Sequence, residues 1–294
     1  NQNLTRVQTI VSLIGGLGLT GGVLDTLNYY FDRAQIPSYA TEKVATATQR
    51  RVVVNYPNVR QLEPMQDATR AEVVALIYQA LVALNQLPAI ASPYIVTADL
   101  NAPLFTDIQG HWAVNFINGL AKQDLIGGFP DGTFKPDISI NRAQYAALLV
   151  KAFNPPVKRP AVSFSDVPST FWAKSFIDRA YQAGFISGFP DGTFKPDQDI
   201  LRLQVLTSIV SGLALTGADL NALNAFDDRA SIPQYAQEQI SVATKKKLVV
   251  NYPNVRLLNP NRAANRGEVA AIVYQALVNS GRSPAISSPY IVTV

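Results

Sequence analysis

Five arginines recur at one position of one pattern. Arg6 stands in Thr5-Arg6-Val7-Gln8, Arg70 in Thr69-Arg70-Ala71-Glu72 and Arg142 in Asn141-Arg142-Ala143-Gln144. Arg202 and Arg266 follow in Leu201-Arg202-Leu203-Gln204 and Asn265-Arg266-Gly267-Glu268. Except at Leu201, a Thr or Asn is answered three residues later by Glu or Gln, the capping box that opens a helix. Each Arg is therefore expected at the first helical position, where a cation opposes the macrodipole at roughly 0.3–1 kcal/mol. Free amides beside a guanidinium fork would suit a carboxylate or phosphate. The competing role is structural, each Arg tying its helix to a carboxylate of a neighbouring segment, with Asp107 or Asp166 as candidates.

Other groups with chemical potential are few. Trp112 and Trp172 stand near predicted helix starts, where an indole serves either a sugar face or a core. Asp131 and Asp191 sit in Pro-Asp-Gly turns without the alternating carboxylates of a calcium loop, so no metal is expected there. The 294 residues include no Cys and a single His, His111, which sets aside thiolate chemistry, multi-histidine metal sites and most catalytic triads. No carboxylate pair, Ser-His pair or phosphate loop suggests an active site, and no cofactor is expected. The net charge of +4 favours anionic partners. The longest basic run, Lys245-Lys246-Lys247, carries no interleaved aromatics, which argues against nucleic acid. Apolar stretches are interrupted well short of a membrane-spanning helix. The chain starts at Asn1 without Met or a signal sequence and reads as a processed or partial product.

The elements holding these residues are repeats. Gly128–Asp137 and Gly188–Asp197 share the sequence GFPDGTFKPD, and residues 1–98 align with 197–294 at a constant offset of 196. Each repeat opens with Phe-x-Asp or a related pair (Phe31-Asp32, Phe105-Thr106-Asp107, Phe164-Ser165-Asp166, Phe226-Asp227-Asp228). A short helix, a tight turn and a second, Arg-led helix follow. Trp112, Phe116 and Leu120 mark one face of the first helix, and Tyr145, Leu148, Leu149 and Ala152 one face of the second. The spacing predicts an all-α fold with helices over 111–124, 141–153, 171–183, 202–213, 234–245 and 266–279. Val52–Val54 and Leu248–Val250 read as extended loop. Such hairpins bury their apolar faces only against their neighbours.

The Phe-x-Asp opening, the Trp, GFPDGTFKPD and the Arg-Ala-Gln or Thr-Arg-Ala-Glu helix start together resemble the S-layer homology domain. The NYPNVR and SSPYIV segments resemble the form found in cyanobacterial envelope proteins. The resemblance implies an extracellular, non-catalytic, cell-envelope protein, with three repeats around a central helical bundle and grooves between lobes. It further implies that the grooves hold acidic, pyruvylated-type polysaccharide attached to peptidoglycan. Carried over by motif, the anion-ligand role falls on Arg70, Arg142, Arg202 and Arg266, with Arg6 as a remnant. Trp112, Trp172, Asp131 and Asp191 join them as candidate glycan contacts. Gln in place of Glu, and the degenerate Leu201-Arg202-Leu203, leave some grooves open to closure or to a structural role.

By this reading residues 1–24 end a truncated middle-type repeat and 25–98 are a third-type repeat with its linker. Residues 99–160, 161–225 and 226–294 are first-, middle- and third-type repeats forming one complete pseudo-threefold triplet. The preceding triplet is partial. Its apolar faces at Ile10, Ile14 and Leu17 and at Val73, Ile77 and Leu81 call for partners, from further sequence or from another molecule. The alternative function is therefore a homopolymer, a filament or surface layer built by head-to-tail complementation.

Overall fold

A computed structural model describes residues 3–97, 104–129 and 131–294. Pro130 of the first Pro-Asp-Gly turn and linker residues 98–103 lie outside them. The described residues form α1 (Arg6–Gly16), α2 (Thr41–Gln49), α3 (Arg70–Ala83), α4 (Val114–Ala121) and α5 (Arg142–Phe153). They continue with α6 (Lys174–Gln182), α7 (Arg202–Gly212), α8 (Gln237–Lys245) and α9 (Arg266–Asn279). The fold is helical, with isolated bridges and no strand among the described residues.

The closing helices α1, α3, α5, α7 and α9 start at the motif arginines, as the caps require. Thr5, Thr69, Asn141 and Asn265 accept the N3 amide while Gln8, Glu72, Gln144 and Glu268 reach back. Leu201 offers no acceptor, and only the return bond from its amide to Gln204 is made. The opening helices α4, α6 and α8 begin three residues later than their periodicity predicts, because Ala113, Ala173 and Ala236 provide no side-chain cap. A single i→i+3 turn leads in instead, as from Val114 N–H to His111 O.

The Phe-x-Asp signature clamps the turn. Both oxygens of Asp107 accept from the amides of Phe134 and Lys135, at 2.8 and 2.7 Å. Asp166 does the same for Phe194 and Lys195, Asp228 for Leu258 and Asn259, and Asp32 for Leu62 and Glu63. Lys135, Lys195, Asn259 and Glu63 all have φ between 51° and 56°. A left-handed side-chain residue is locally unfavourable, and the charged acceptor offsets that strain.

The chain divides into two compact units, Asn1–Thr106 with Gly128–Gly132, and Asp107–Gly127 with Thr133–Val294. In the second unit α6 packs on α5, α8 on α7 and α4 on α9, while α5 and α7 both touch α9. Three backbone hydrogen bonds close a ring just ahead of the closing helices. Ile140 donates to Ala264 O (3.1 Å), Ala264 to Ile200 O (2.8 Å) and Ile200 to Ile140 O (3.1 Å). The order is cyclic, which makes the triplet pseudo-threefold. In the first unit α2 packs on α1 and α1 on α3, around Val7, Ile10, Ile14, Val44, Val53 and Leu76. The apolar face expected at Ile10 and Ile14 is thus buried inside this unit, whereas Ile77 remains 43% exposed.

Candidate functional site

Each closing helix of the second unit drives its first turn into the turn of the next repeat. The amides of Arg142 and Ala143 donate to Gln198 O and Pro196 O, and those of Arg202 and Leu203 to Arg262 O and Pro260 O. The amides of Arg266 and Gly267 donate to Ile138 O and Pro136 O. These amides, expected to be free for an anion, are taken by neighbouring carbonyls. What the helix start can still offer a ligand is the guanidinium.

The guanidiniums divide into two kinds. Arg202 is 1% exposed. Its Nε donates to Leu258 O and its Nη2 to Asn251 Oδ1, at 2.8 and 2.5 Å. Its Nη1 lies 2.9 Å from Glu268 Oε1, an ion pair not aligned as a hydrogen bond. Arg6 repeats this set with Leu62 O, Asn55 Oδ1 and Glu72 Oε1. The carboxylate comes from the N3 residue of the next closing helix, so Glu72 and Glu268 are the ionic partners. Asp107 and Asp166, proposed for that role on spacing, cap turns, and from there their charges act on Arg266 and Arg142 respectively.

Arg142 is the other kind. Nε donates to Phe194 O and Nη2 to Ser187 O, both at 2.8 Å, and the guanidinium lies against the rings of Phe189 and Phe194. The N3 residue of the next closing helix is Gln204, and no carboxylate among the described residues pairs with Arg142. Burial pulls its pKa down to about 10, only partly opposed by Asp166, so it remains charged at neutral pH. Arg266 follows the same geometry, donating to Phe134 O (2.8 Å) and Gly127 O (3.2 Å) and lying over the Phe134 ring. It is half-buried, and desolvation lowers its pKa too. Arg70, in the first unit, is exposed at the head of α3.

Trp112 is half-buried and stacks on Tyr252 with centroids 5.3 Å apart and planes within 8°. Tyr290 meets both rings edge-on. Trp172 is 58% exposed beside Phe171. Asp191 is exposed and closes its own turn by accepting from Thr193, whose hydrogen bonds lower its pKa. Asp131 is exposed. His111 accepts from Ala113 N–H at Nδ1 and faces Asp137 at 3.3 Å, a local cap. Sequence reasoning missed the aromatic partners Tyr252 and Tyr290, Phe189 beneath Arg142, and Glu268 as the closing carboxylate. The recurrence of Tyr in NYPN and SPY was the available signal for the first two.

A ring of helical hairpins, joined by cationic clamps and carrying exposed aromatics, defines a repeat-built binding or scaffold module. Residues 104–146, 163–206 and 225–270 each match the S-layer homology domain, and the chain carries three repeats of that family. It is 32% identical to the amylopullulanase of Thermoanaerobacterium thermosulfurigenes over 181 residues, 60% of this chain and 10% of the enzyme. It is 33% identical over 153 residues, 50% of the chain, to the cellulosome-anchoring protein of Acetivibrio thermocellus, covering 32% of that protein. It is 27% identical over 199 residues, 67% of the chain, to the S-layer protein of Bacillus licheniformis, covering 22% of it. The chain thus spans a third or less of these relatives, and the match to those with enzyme names lies in the repeat region. With this family the chain is a cell-surface protein. Among the described residues no helix is long and apolar enough to cross a membrane.

Proposed function

We propose that the chain is a non-catalytic anchoring module that holds acidic, pyruvylated-type cell-wall polysaccharide at the joints between its repeats. Arg142 and Arg266 are the anion ligands. The observation that carries this is Arg142: a cation with 4% exposure whose carboxylate partner has been replaced by Gln204. An acidic sugar substituent would supply the charge that Glu268 supplies to Arg202. Trp172 and the Trp112–Tyr252–Tyr290 group are the sugar-stacking surfaces, and Asp131 and Asp191 lie exposed on turns where hydroxyls could bond. Arg202 is sealed by Glu268 and serves structure, and among the described residues no neighbouring turn receives the Arg70 amide as turns do at the other joints. Anchoring also agrees with the name of the Acetivibrio relative.

The test is sedimentation with purified cell-wall sacculi, before and after acidic substituents are removed. Gln204→Glu places a carboxylate where Arg202 and Arg6 have theirs. It is expected to weaken sacculus binding by about 1.5–3 kcal/mol, the worth of a charged contact, without lowering the melting temperature. Arg142→Ala and Arg266→Ala are expected to weaken binding by about 1–3 kcal/mol. The carbonyls they leave unsatisfied should also lower stability, although the helix-dipole argument alone predicts little change. Full binding by Gln204→Glu, or by untreated and stripped sacculi alike, would rule the Arg142 site out.

Self-assembly into a filament of identical chains is the second reading. It rests on the exposed face of α3, and light scattering across a concentration series tests it.

A further inference from the structure

The third-type repeat occurs twice, and its closing helix meets two different surroundings. Helices α3 and α9 correspond at the offset of 196, Val74 with Ala270, Ile77 with Val273 and Tyr78 with Tyr274. In α9 every residue from Gly267 to Leu277 is buried. In α3, Val74 is 66% and Ile77 43% exposed, against 1% for Ala270 and 0% for Val273.

The backbone at the head of α3 is open in the same sense. Of the three ring bonds, the first unit makes one, from Ala68 N–H to Leu4 O. Leu4 is 57% exposed where its counterpart Ile200 is 1%. Among the described residues no carbonyl accepts from the amides of Arg70 and Ala71, which correspond to those that Ile138 and Pro136 serve in α9.

We propose that the α3 face, headed by Leu4, Ala68 and Arg70, is a docking surface for a repeat of the 104–153 type lying outside these 294 residues. The chemistry of the occupant follows from what covers α9. There Phe116 meets Tyr274 edge-on at 5.9 Å, and Gly119 lies so close that a Cβ would stand 2.3 Å from the Tyr274 ring. The docking repeat therefore presents an aromatic residue and, three positions later, a glycine opposite Tyr78. Its turn carbonyls receive the Arg70 and Ala71 amides, and its segment ahead of the closing helix completes the ring with Leu4 and Ala68. A second copy of this chain is a poor occupant. Its own 104–153 repeat is already committed to α9, and lending it out would uncover as much apolar surface as it covers.

The chain has no cysteine, so Val74→Cys gives a single thiol on the face and Ala270→Cys a buried reference. Thiol labelling is followed in the 294-residue chain and in a longer chain with residues 99–196 placed ahead of residue 1. The thiol of Val74→Cys should label freely in the first chain and at least about tenfold more slowly in the second, approaching the rate of Ala270→Cys. Equal labelling of Val74→Cys in both chains overturns the proposal. So does protection of that thiol in the 294-residue chain that rises with concentration as the mass doubles, because the occupant is then a second copy.

Discussion

Arg202 and Glu268 form a pair in which both side chains are all but sealed from solvent, at 1% and 3% exposure. Arg262 also reaches Glu268, so one carboxylate stands between two guanidiniums. Burial lowers the Arg202 pKa and Glu268 only partly restores it. Deleting one member strands the other. Glu268→Ala should therefore destabilise the second unit by about 3–5 kcal/mol in denaturant unfolding, and Arg202→Met with Glu268→Leu by much less. A loss under about 1 kcal/mol for Glu268→Ala would show that water or Asn251 shields the arginine. The arginines were legible in the sequence because a cation at the first helical position contradicts local electrostatics. Their partners were not, because the accepting carbonyls belong to turns 45 to 139 residues away along the chain, and carbonyls carry no sequence signature.

Helix α4 crosses α9 through Gly119, whose backbone rests on the Tyr274 ring. Helix propensity alone favours alanine over glycine by about 1 kcal/mol. Here the added methyl meets a ring that is 2% exposed, so Gly119→Ala should lower stability by about 1–3 kcal/mol. Thermal melting decides, since a rise in melting temperature would mean that α4 shifts to make room. In the first unit, burial pushes Glu72 up, but the hydrogen bonds from Thr69 and the charge of Arg6 outweigh it and hold its pKa below the ordinary value. A depressed carboxyl contributes stability above its unfolded pKa, and that contribution is lost as pH falls through the folded value. Amide protection factors in α1 and α3 should fall below about pH 4.3, and Glu72→Gln should flatten the decline. Closing helices were readable to within one residue at each end, because most of their caps are spelled out. Opening helices were not, because alanines precede them and an uncapped start leaves no mark in the sequence.

The two units differ in how completely their apolar faces are covered, and the first is the less complete. Both tryptophans, Trp112 and Trp172, lie in the second. Heating the intact chain should therefore give far-UV dichroism that starts to fall before tryptophan fluorescence changes. Coincident transitions would show that the units unfold as one. The offset of 196 made the correspondence of residues 1–98 with 197–294 readable as arithmetic, but only the fold separates the covered faces at Ile10 and Ile14 from the open one at Ile77. The cyclic order of Ile140, Ile200 and Ala264 has one more consequence. Stacked helical hairpins ordinarily add end to end into a superhelix of indefinite length, each new hairpin extending one continuous spine. A trio whose last member bonds back to its first leaves no growing end. A longer array of such repeats would lengthen as beads on a string, every third hairpin sealing a bead.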